Sequence, residues 1–331
     1  MKTIQWGMVG TGNVTEVKSG PGFYKAKNST LYGVTNRTYE KAVDWAKRHG
    51  VPRVYKNIDE MIEDNKVDAI YIATPPGSHK EYALKCAAAK IPCYIEKPVS
   101  LNYNDHLEIL EAFQKNNTPV FAAYYRRAQE RFNQVKNLIL QGSIGKVNFV
   151  HLSLYREMKP DEKNNCWRVQ PDISGGGLFM DVGVHMIDIV VFLLGKITEV
   201  KSFRSNQSGY YEPEDMIVAT FLFENGIMGT GNWCFDSNIS KDEIEIVGKD
   251  GRLRFSCFGQ EPIILEQNSN HKEIEAQKPE HVHQPLIQSI VDELNGQRKS
   301  PAALETATNT AWVCEEIYKG YLYSEVDFVS N

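Results

Sequence analysis

Short strand-like and helix-like stretches alternate over residues 1–123, and this alternation limits the possible folds more than any other feature of the chain. Apolar runs such as TIQWGMVG, TLYGVTN, VDAIYIAT and IPCYIE are each followed by a stretch with helical character. Strands that alternate with helices of about a dozen residues form crossover units, and these units build a parallel sheet covered on both faces. We therefore predict a doubly wound α/β domain over residues 1–123.

The pattern changes after residue 128. A helix, a strand, a polar loop and a glycine-rich helix start are followed by several strands in series, among them EDMIVATFLFENG, IMGTGNWCFD and DEIEIVGKDG. Turn sequences such as ENG and KDG between consecutive strands are typical of antiparallel hairpins. We predict an α+β second domain, residues 124–331, with a large, mostly antiparallel open sheet.

Composition and charge exclude several classes of protein. The 331 residues carry 37 Lys+Arg and 42 Asp+Glu, a net charge of −5, which offers no general attraction for nucleic acid or anionic lipid. No signal-peptide pattern and no run of ~20 apolar residues is apparent, so we expect a cytoplasmic protein without a membrane span. The six cysteines are scattered without a C-x-x-C pair, and we predict neither a metal site nor disulfides.

A Gly-x-Gly turn follows the first strand directly, in the segment GMVGTGNVT. Gly10 and Gly12 suit a tight turn in which backbone amides approach a pyrophosphate at a helix N-terminus. The third position of this fingerprint holds Thr15 in place of a glycine or alanine. The position after the first strand of an alternating domain nevertheless favours a dinucleotide-binding Rossmann domain.

The end of the second strand predicts the cofactor preference. An NAD site usually has a carboxylate here to bind the ribose hydroxyls, whereas this strand ends in Thr35-Asn36-Arg37. Because the planar guanidinium of Arg37 can pair with a 2′-phosphate, we predict NADP in preference to NAD. The alternative is an arginine that only begins a solvated helix.

Two more loops follow neighbouring strands. The fourth strand ends in ATPPGSH, which contains Thr74, Pro75 and His79, and the fifth ends in Glu96-Lys97-Pro98. Ligands of open α/β sheets bind at the carboxyl ends of the strands, so both loops are expected to face one crevice. The alternative for Glu96 and Lys97 is a surface ion pair at a strand end.

A third cluster lies behind the triple glycine 175–177. On a helix that begins near Leu178, Asp181, His185 and Asp188 share one face. Histidine has an unperturbed pKa suited to proton transfer near neutrality. The alternative is a buried histidine with a structural role.

With these clusters in place, the chain resembles the Gfo/Idh/MocA family (glucose–fructose oxidoreductase, inositol dehydrogenase and rhizopine-catabolism proteins) over almost its whole length. The resemblance rests on Gly10-Thr11-Gly12, Thr74-Pro75-Pro76 with His79, Glu96-Lys97-Pro98, the segment GSIGKV at 142–147, and Gly175-Gly176-Gly177 followed by Asp181 and His185.

The resemblance implies roles for individual residues. Lys97 would reach the nicotinamide and the reacting oxygen, His185 would be the general acid/base, and Asp181 would orient substrate and histidine. It also implies a cis Lys97–Pro98 peptide bond. Residues assigned to the cofactor are Gly10, Thr11, Gly12, Asn13, Val14, Asn36, Arg37, Thr74, Pro75, His79, Glu96, Lys97, Arg126, Trp167 and Arg168.

These features predict an NAD(P)-dependent oxidoreductase that acts on a sugar, polyol or related carbonyl compound and forms a homodimer or homotetramer through the second-domain sheet, as relatives do. Trp167 and Arg168 suit a polyhydroxy ligand or the cofactor, or else the tryptophan packs between domains. Two other functions remain open at this point: an NAD-dependent glycosidase of the same fold, and a regulator that binds dinucleotide without turnover.

Overall fold

The computed structural model describes residues 1–164, 166–267 and 270–323, and these form two compact units. Unit 1 comprises Met1–Gln129 and Pro279–Thr308. Unit 2 comprises Glu130–Lys278 and the described residues from Asn309 onward. The sequence-based boundary at residue 123 had assigned the whole remainder of the chain to the second domain, of which residues 324–331 lie outside the described part.

Unit 1 is built on a six-stranded sheet in the order β3-β2-β1-β4-β5-β6, in which every described pair of neighbours is parallel. The predicted doubly wound α/β fold is therefore confirmed. Its strands are β1 Ile4–Val9, β2 Ser29–Thr35, β3 Arg53–Val54, β4 Ala69–Ile72, β5 Cys93–Ile95 and β6 Val120–Ala122. Its helices are α1 Asn13–Val17, α2 Gly20–Lys25, α3 Tyr39–His49, α4 Ile58–Glu63, α5 His79–Ala88, α6 Tyr103–Lys115 and α11 Gln284–Leu294.

The segment Pro279–Thr308 belongs to unit 1 because α11 packs its apolar side into the core of that unit. Leu286, Ile287 and Ile290 of this helix are fully buried in one cluster with Trp6 and Phe23. Burial of side chains of this size stabilises the native state by about 1.5–3 kcal/mol each. The contact joins segments that are far apart in the sequence.

Unit 2 is built on a nine-stranded sheet in the order β14-β13-β12-β11-β7-β10-β9-β8-β15. Among its described strands, β7/β10 and β8/β15 pair in parallel and the other neighbours pair antiparallel, which confirms the predicted open sheet. The strands are β7 Val147–Tyr155, β8 Ile197–Ser205, β9 Met216–Phe223, β10 Met228–Cys234, β11 Lys241–Gly248, β12 Arg252–Phe255, β13 Ile263–Gln267, β14 Asn270–Ile274 and β15 Tyr321–Tyr323. The helices are α7 Glu130–Leu140, α8 Pro160–Lys163, α9 Pro171–Ser174, α10 Val184–Leu194 and α12 Thr308–Tyr318, the last of which begins at the final residue of unit 1.

The helix predicted from Leu178 onward is not a continuous α-helix. Residues Phe179–Gly183 form a π-helical turn, and α10 begins after it at Val184. A Cβ on Gly183 would lie 2.2 Å from the Phe179 ring, so the wide turn uses a residue without a side chain at this point. π-turns inside helices are frequent at functional sites.

The stretch Pro171–Leu194 is long and apolar enough to cross a membrane by length and composition. Most of it, 78% of the apolar window, is buried, as expected for the core helix of a soluble protein. The stretch is also broken by the turns around the triple glycine and the π-helix.

Candidate functional site

The loop after β1 has the geometry of a phosphate-binding turn. Gly10 has φ +99°, and a Cβ there would lie 2.8 Å from the carbonyl oxygen of Ala73, a backbone atom that cannot move aside. A Cβ on Gly12 would meet no atom within 4 Å, so the backbone at Gly12 borders open space. This open space at the turn between β1 and α1 fits the pyrophosphate of a dinucleotide.

Thr15 occupies the third fingerprint position without obstructing the turn. Its side chain is fully buried, and its hydroxyl donates to the carbonyl oxygen of Gly12 at 2.7 Å. The close approach is made by Gly20, where a Cβ would lie 2.1 Å from the carbonyl oxygen of Thr15. Gly20, at the start of α2, therefore allows the close packing of α2 against the end of α1.

The end of β2 is tied to the glycine loop through Asn36. Its amide nitrogen donates to the hydroxyl of Thr11 at 2.8 Å, and its amide oxygen accepts from the backbone N–H of Thr38 at 2.9 Å. Arg37 follows directly and is exposed, with no ion pair among the residues that the structure describes. The guanidinium is accessible to an anion at this strand end.

His79 lies behind the loop after β4. It is fully buried, with Nε2 2.7 Å from the carbonyl oxygen of Thr74 and Nδ1 3.0 Å from that of Pro98. Burial lowers the pKa of His79 to about 4, so the neutral ring donates to only one of these carbonyls. His79 is assigned to the cofactor by its sequence motif, and that contact stays a prediction; in the structure its ring joins the loops after β4 and β5.

Glu96 and Lys97 face different environments. The Glu96 carboxylate is buried and accepts a hydrogen bond from the hydroxyl of Tyr71 on β4, whereas Lys97 is partly exposed. Burial raises the pKa of Glu96, and the Tyr71 hydrogen bond opposes this. The two residues therefore do not form the surface ion pair that was the alternative. The Glu96 carboxylate is directed into the unit, and the assignment of Glu96 to the cofactor stays a prediction. The Lys97–Pro98 bond is cis as predicted.

Arg126 follows β6 in a 3-10 helical turn. Its side chain is buried, and its guanidinium lies over the ring of Tyr125, 4.8 Å from the centroid. The neighbouring Arg127 donates to the carbonyl oxygen of Pro301 and to the hydroxyl of Thr306. Both arginines are held inside unit 1.

In unit 2, Arg168 pairs with Asp181. The Nε–Oδ2 distance is 3.1 Å, and the same guanidinium lies 4.7 Å from the centroid of the Trp167 ring. The sequence predicts that Arg168 contacts the cofactor and that Asp181 orients the substrate, and it carries no signal that the two residues pair. The structure thus joins the polar loop at 166–170 to the π-helical turn.

His185 and Asp188 lie on α10 but have different surroundings. His185 is buried in the first turn, with the Phe258 ring edge-on at 5.9 Å between centroids. Asp188 is buried and accepts a hydrogen bond from the hydroxyl of Thr310 at 3.1 Å. Asp188 therefore links α10 to α12.

Glu214 lies beneath the triple glycine, and sequence analysis missed it. Its buried carboxylate accepts from the backbone N–H of Gly177 at 3.3 Å, with the Arg204 guanidinium 3.9 Å away. A Cβ on Gly177 would lie 2.7 Å from the Glu214 carbonyl oxygen, which explains a glycine here. The only sequence signal was a carboxylate at the start of a strand, which is usually solvated.

Comparison with known proteins places these features in one family. Residues 4–124 match the oxidoreductase family with an NAD-binding Rossmann fold, and residues 132–254 match the Gfo/Idh/MocA C-terminal domain. Together the two matches cover most of the chain, which therefore belongs to the Gfo/Idh/MocA family of oxidoreductases. The resemblance seen in the sequence is confirmed.

Individual relatives are similar to this chain over most of its length. Oxidoreductase P35 of Formosa agariphila is 36% identical over 313 residues, which cover 92% of this chain and 95% of that protein. Myo-inositol 2-dehydrogenase of Thermotoga maritima is 26% identical over 267 residues, 78% of this chain and 77% of that protein. The crystal structure of aldose-aldose oxidoreductase from Caulobacter crescentus with glycerol has the same fold, with a TM-score of 0.87 at 20% identity and coverage of 96% and 97% of the two chains.

No group of three or more His, Cys, Asp or Glu side chains that could hold a metal ion occurs within residues 1–164, 166–267 and 270–323.

The burial of Glu214 predicts a pH dependence of stability. Burial raises its pKa from 4.5 to about 7, so the native state disfavours the carboxylate. The stability contributed by the neutral form is complete below the ordinary pKa and is lost as the pH rises through about 7. The side chain of Glu214→Gln stays neutral. The free energy of unfolding of this variant should therefore rise relative to that of the wild type by at most about 3 kcal/mol between pH ~5 and pH ~8.

The measurement is the thermal unfolding midpoint of both proteins across this pH range, with Glu212→Gln as the control because Glu212 is exposed. If the unfolding midpoints of the wild type and Glu214→Gln depended equally on pH, the raised pKa of Glu214 would be contradicted.

Proposed function

We propose that this oxidoreductase transfers hydride between a nicotinamide cofactor and a sugar, polyol or related hydroxy or carbonyl compound. The observation that carries the proposal is the separation of Glu96 from Lys97, because the acid is buried and the lysine remains at the carboxyl edge of the sheet. The glycine loop after β1 lies at the same edge and contacts the end of β4 through Gly10 and Ala73. The names of relatives, such as myo-inositol 2-dehydrogenase, support the substrate class.

The chemistry requires two groups from the protein, since the cofactor, when bound, supplies the hydride donor or acceptor. A cation must stabilise negative charge on the substrate oxygen, and we assign this to Lys97. A general acid/base must move the hydroxyl proton, and we assign this to His185. Asp181 orients the substrate and the histidine, and its ion pair with Arg168 limits its own movement.

The loop with Trp167 and Arg168 is proposed to contact the substrate or cofactor. The Trp167 ring is partly exposed, and the guanidinium of Arg168 covers one part of it. Aromatic rings beside convergent polar groups are typical of sites for polyhydroxy ligands. This arrangement lets the loop contribute both an apolar surface and a charge.

NADP is the proposed cofactor in preference to NAD. No carboxylate follows β2, Asn36 fixes the strand end to the glycine loop, and the Arg37 guanidinium is exposed. A cation free to form paired hydrogen bonds at this position suits a 2′-phosphate.

Arg37→Ala should weaken NADPH binding by about one to two orders of magnitude, as expected for loss of a charge-assisted hydrogen bond of about 1.5–3 kcal/mol. NADH binding should change little. Titration of nicotinamide fluorescence measures the affinities for NADPH and NADH. Lys41→Ala is the control for the loss of one positive charge, because Lys41 is an exposed cation on the following helix, α3. Equal loss for NADPH and NADH would contradict the placement of Arg37 at the 2′ position.

Removal of His185 should lower turnover while leaving cofactor affinity almost unchanged. We expect His185→Ala to lower kcat by about 10²–10⁴-fold, the usual contribution of positioned proton transfer. Lys97→Met should be comparably severe, and the double variant should lose far less than the product of the two, because both groups serve one proton transfer. Independent, multiplicative losses in steady-state kinetics would contradict a shared role.

The proposal itself is tested by a panel of sugars, polyols and dicarbonyl compounds incubated with NADP(H) or NAD(H). Net change in the absorbance of reduced nicotinamide identifies a dehydrogenase or reductase. Cleavage of a nitrophenyl glycoside without net change in the cofactor would favour the glycosidase alternative. Tight cofactor binding without turnover of any compound would favour the regulator.

We also propose that the protein is a homo-oligomer that uses the open face of the nine-stranded sheet. Phe203, Val218 and Tyr321 are neighbours in register on β8, β9 and β15, and Phe203 and Tyr321 are more than half exposed. Met228 and Phe149 form a second exposed apolar pair on β10 and β7. A second copy of the chain is the proposed occupant, since extended exposed apolar patches mark interaction sites.

Phe203→Glu should convert the oligomer to a monomer, because a charge buried without a partner at an interface is strongly unfavourable. Sedimentation analysis measures the mass. Ile239→Glu is the control, since Ile239 is equally exposed but lies in the loop after β10. A monomeric wild type, or an oligomer unaffected by Phe203→Glu, would contradict the proposal.

A further inference from the structure

A buried polar cluster lies directly beneath Lys97, and the proposed reaction does not use it. Tyr71 on β4 and Tyr94 on β5 are partners in register, with ring centroids 4.9 Å apart. His283 immediately precedes α11 and is fully buried, with its ring 4.3 Å from that of Tyr125. The cluster thus joins the sheet to a helix that lies almost 190 residues further along the chain.

The polar contacts within the cluster run consecutively from Tyr94 through His283 and Glu96 to Lys97. The Tyr94 hydroxyl lies 2.9 Å from Nδ1 of His283, and Nε2 of His283 lies 3.6 Å from Oε1 of Glu96. Tyr71 donates its hydroxyl to the same carboxylate oxygen. The other oxygen, Oε2, accepts from the backbone N–H of Lys97 at 3.2 Å. These contacts therefore end at the main chain of the proposed catalytic lysine.

The protonation states follow from burial. Burial lowers the pKa of His283 well below its usual value, and Lys18, Arg126 and Lys97 lower it further. The positive end of α11 acts in the same direction. The imidazole is neutral and carries one proton, and Nε2 makes no hydrogen bond within the described residues, with Oε1 of Glu96 3.6 Å away. A proton on Nε2 lets Nδ1 accept from the Tyr94 hydroxyl and leaves Nε2–H beside the Glu96 carboxylate.

Two opposing effects act on the pKa of Glu96. Burial raises the pKa of its carboxyl group, while hydrogen bonds from Tyr71 and from the Lys97 amide favour the ionised form. A proton on Nε2 of His283 also favours the ionised form of the carboxylate. Titratable and charged groups that face the pair come from β4, β5, the segment after α1 and the turn after β6: Lys18, Tyr71, Tyr94, Lys97, Tyr125 and Arg126.

We propose that His283 is a positioning residue for Lys97: its Nε2–H, 3.6 Å from the Glu96 carboxylate, stabilises the negative charge of that carboxylate, which in turn holds the Lys97 main chain by accepting its amide N–H. This inference rests on the proposed function of Lys97. It explains why a carboxylate is buried at this strand end, and why a histidine that binds no ligand is fully enclosed beside it.

The first experiment uses ¹⁵N NMR of the histidine side chains in the free protein, so it needs neither cofactor nor substrate. The His283→Gln variant assigns the His283 signals among the eight histidines. We expect a neutral Nε2–H tautomer from about pH 5 to about pH 8. We also expect the Nε2 shift to follow the ionisation of Glu96, and this step should vanish in Glu96→Gln. A neutral ring protonated on Nδ1, or a step that persists in Glu96→Gln, would overturn the proposal.

The second experiment measures hydrogen exchange of the Lys97 amide. His283→Phe keeps the ring contacts but removes the donor, and should lower protection of this amide by about tenfold, the effect of one weakened hydrogen bond. His283→Gln supplies an amide donor near the position of Nε2 and should restore most of it.

The matched control is His106→Phe, because His106 is also buried in unit 1 and its pKa is lowered to about 4, but its partner is the hydroxyl of Thr308. Equal loss of Lys97 protection in His283→Phe and His106→Phe would reduce His283 to general packing and overturn the proposal. Failure to detect turnover on any sugar or polyol would instead count against the proposed function, and would leave the NMR and exchange results intact.

Discussion

The carboxyl edge of the parallel sheet depends on direct backbone contact between its loops. Gly10 lies so close to the carbonyl of Ala73 that no side chain fits there, which fixes the loop after β1 against the end of β4. His79 then connects the loop after β4 to Pro98 in the loop after β5. Three loops are therefore held as one surface. The proposed cofactor site and the proposed role of Lys97 require such a surface, since small displacements at a reacting centre reduce rates strongly.

The same principle, a buried polar group that holds a functional backbone, occurs in both units. In unit 1 the Glu96 carboxylate accepts the amide of Lys97. In unit 2 the Glu214 carboxylate accepts the amide of Gly177, just ahead of the π-helical turn with Asp181 and of α10 with His185. Each carboxylate is buried, and burial raises the pKa of each. A carboxylate in such a position costs stability when ionised, so its retention is better explained by the positioning it provides.

The sequence predicted the architecture because hydrophobic periodicity and turn residues are local features of the chain. Alternating strands and helices predicted the parallel sheet, and hairpin turns predicted the antiparallel one. The direction of individual side chains was not predictable, because it depends on residues far away: Glu96 points inward towards Tyr71 and His283, and Asp181 pairs with Arg168. The placement of α11 in unit 1 depends on its packing against a distant helix. Lys97, Asp181 and His185 were chosen by motif, and their roles remain predictions.

The central claim is that the protein transfers a hydride to or from a sugar or polyol carbon, and isotope tracing tests it most directly. NADPH and NADH carrying deuterium at both hydrogen positions of the nicotinamide C4 are incubated with the panel of sugar carbonyl compounds, and the products are analysed by mass spectrometry. The account predicts that deuterium moves to one carbon of a product and stays there, with the cofactor oxidised in equal amount. Cofactor binding without transfer of deuterium to any compound, or glycoside cleavage with the cofactor returned unchanged, would contradict it.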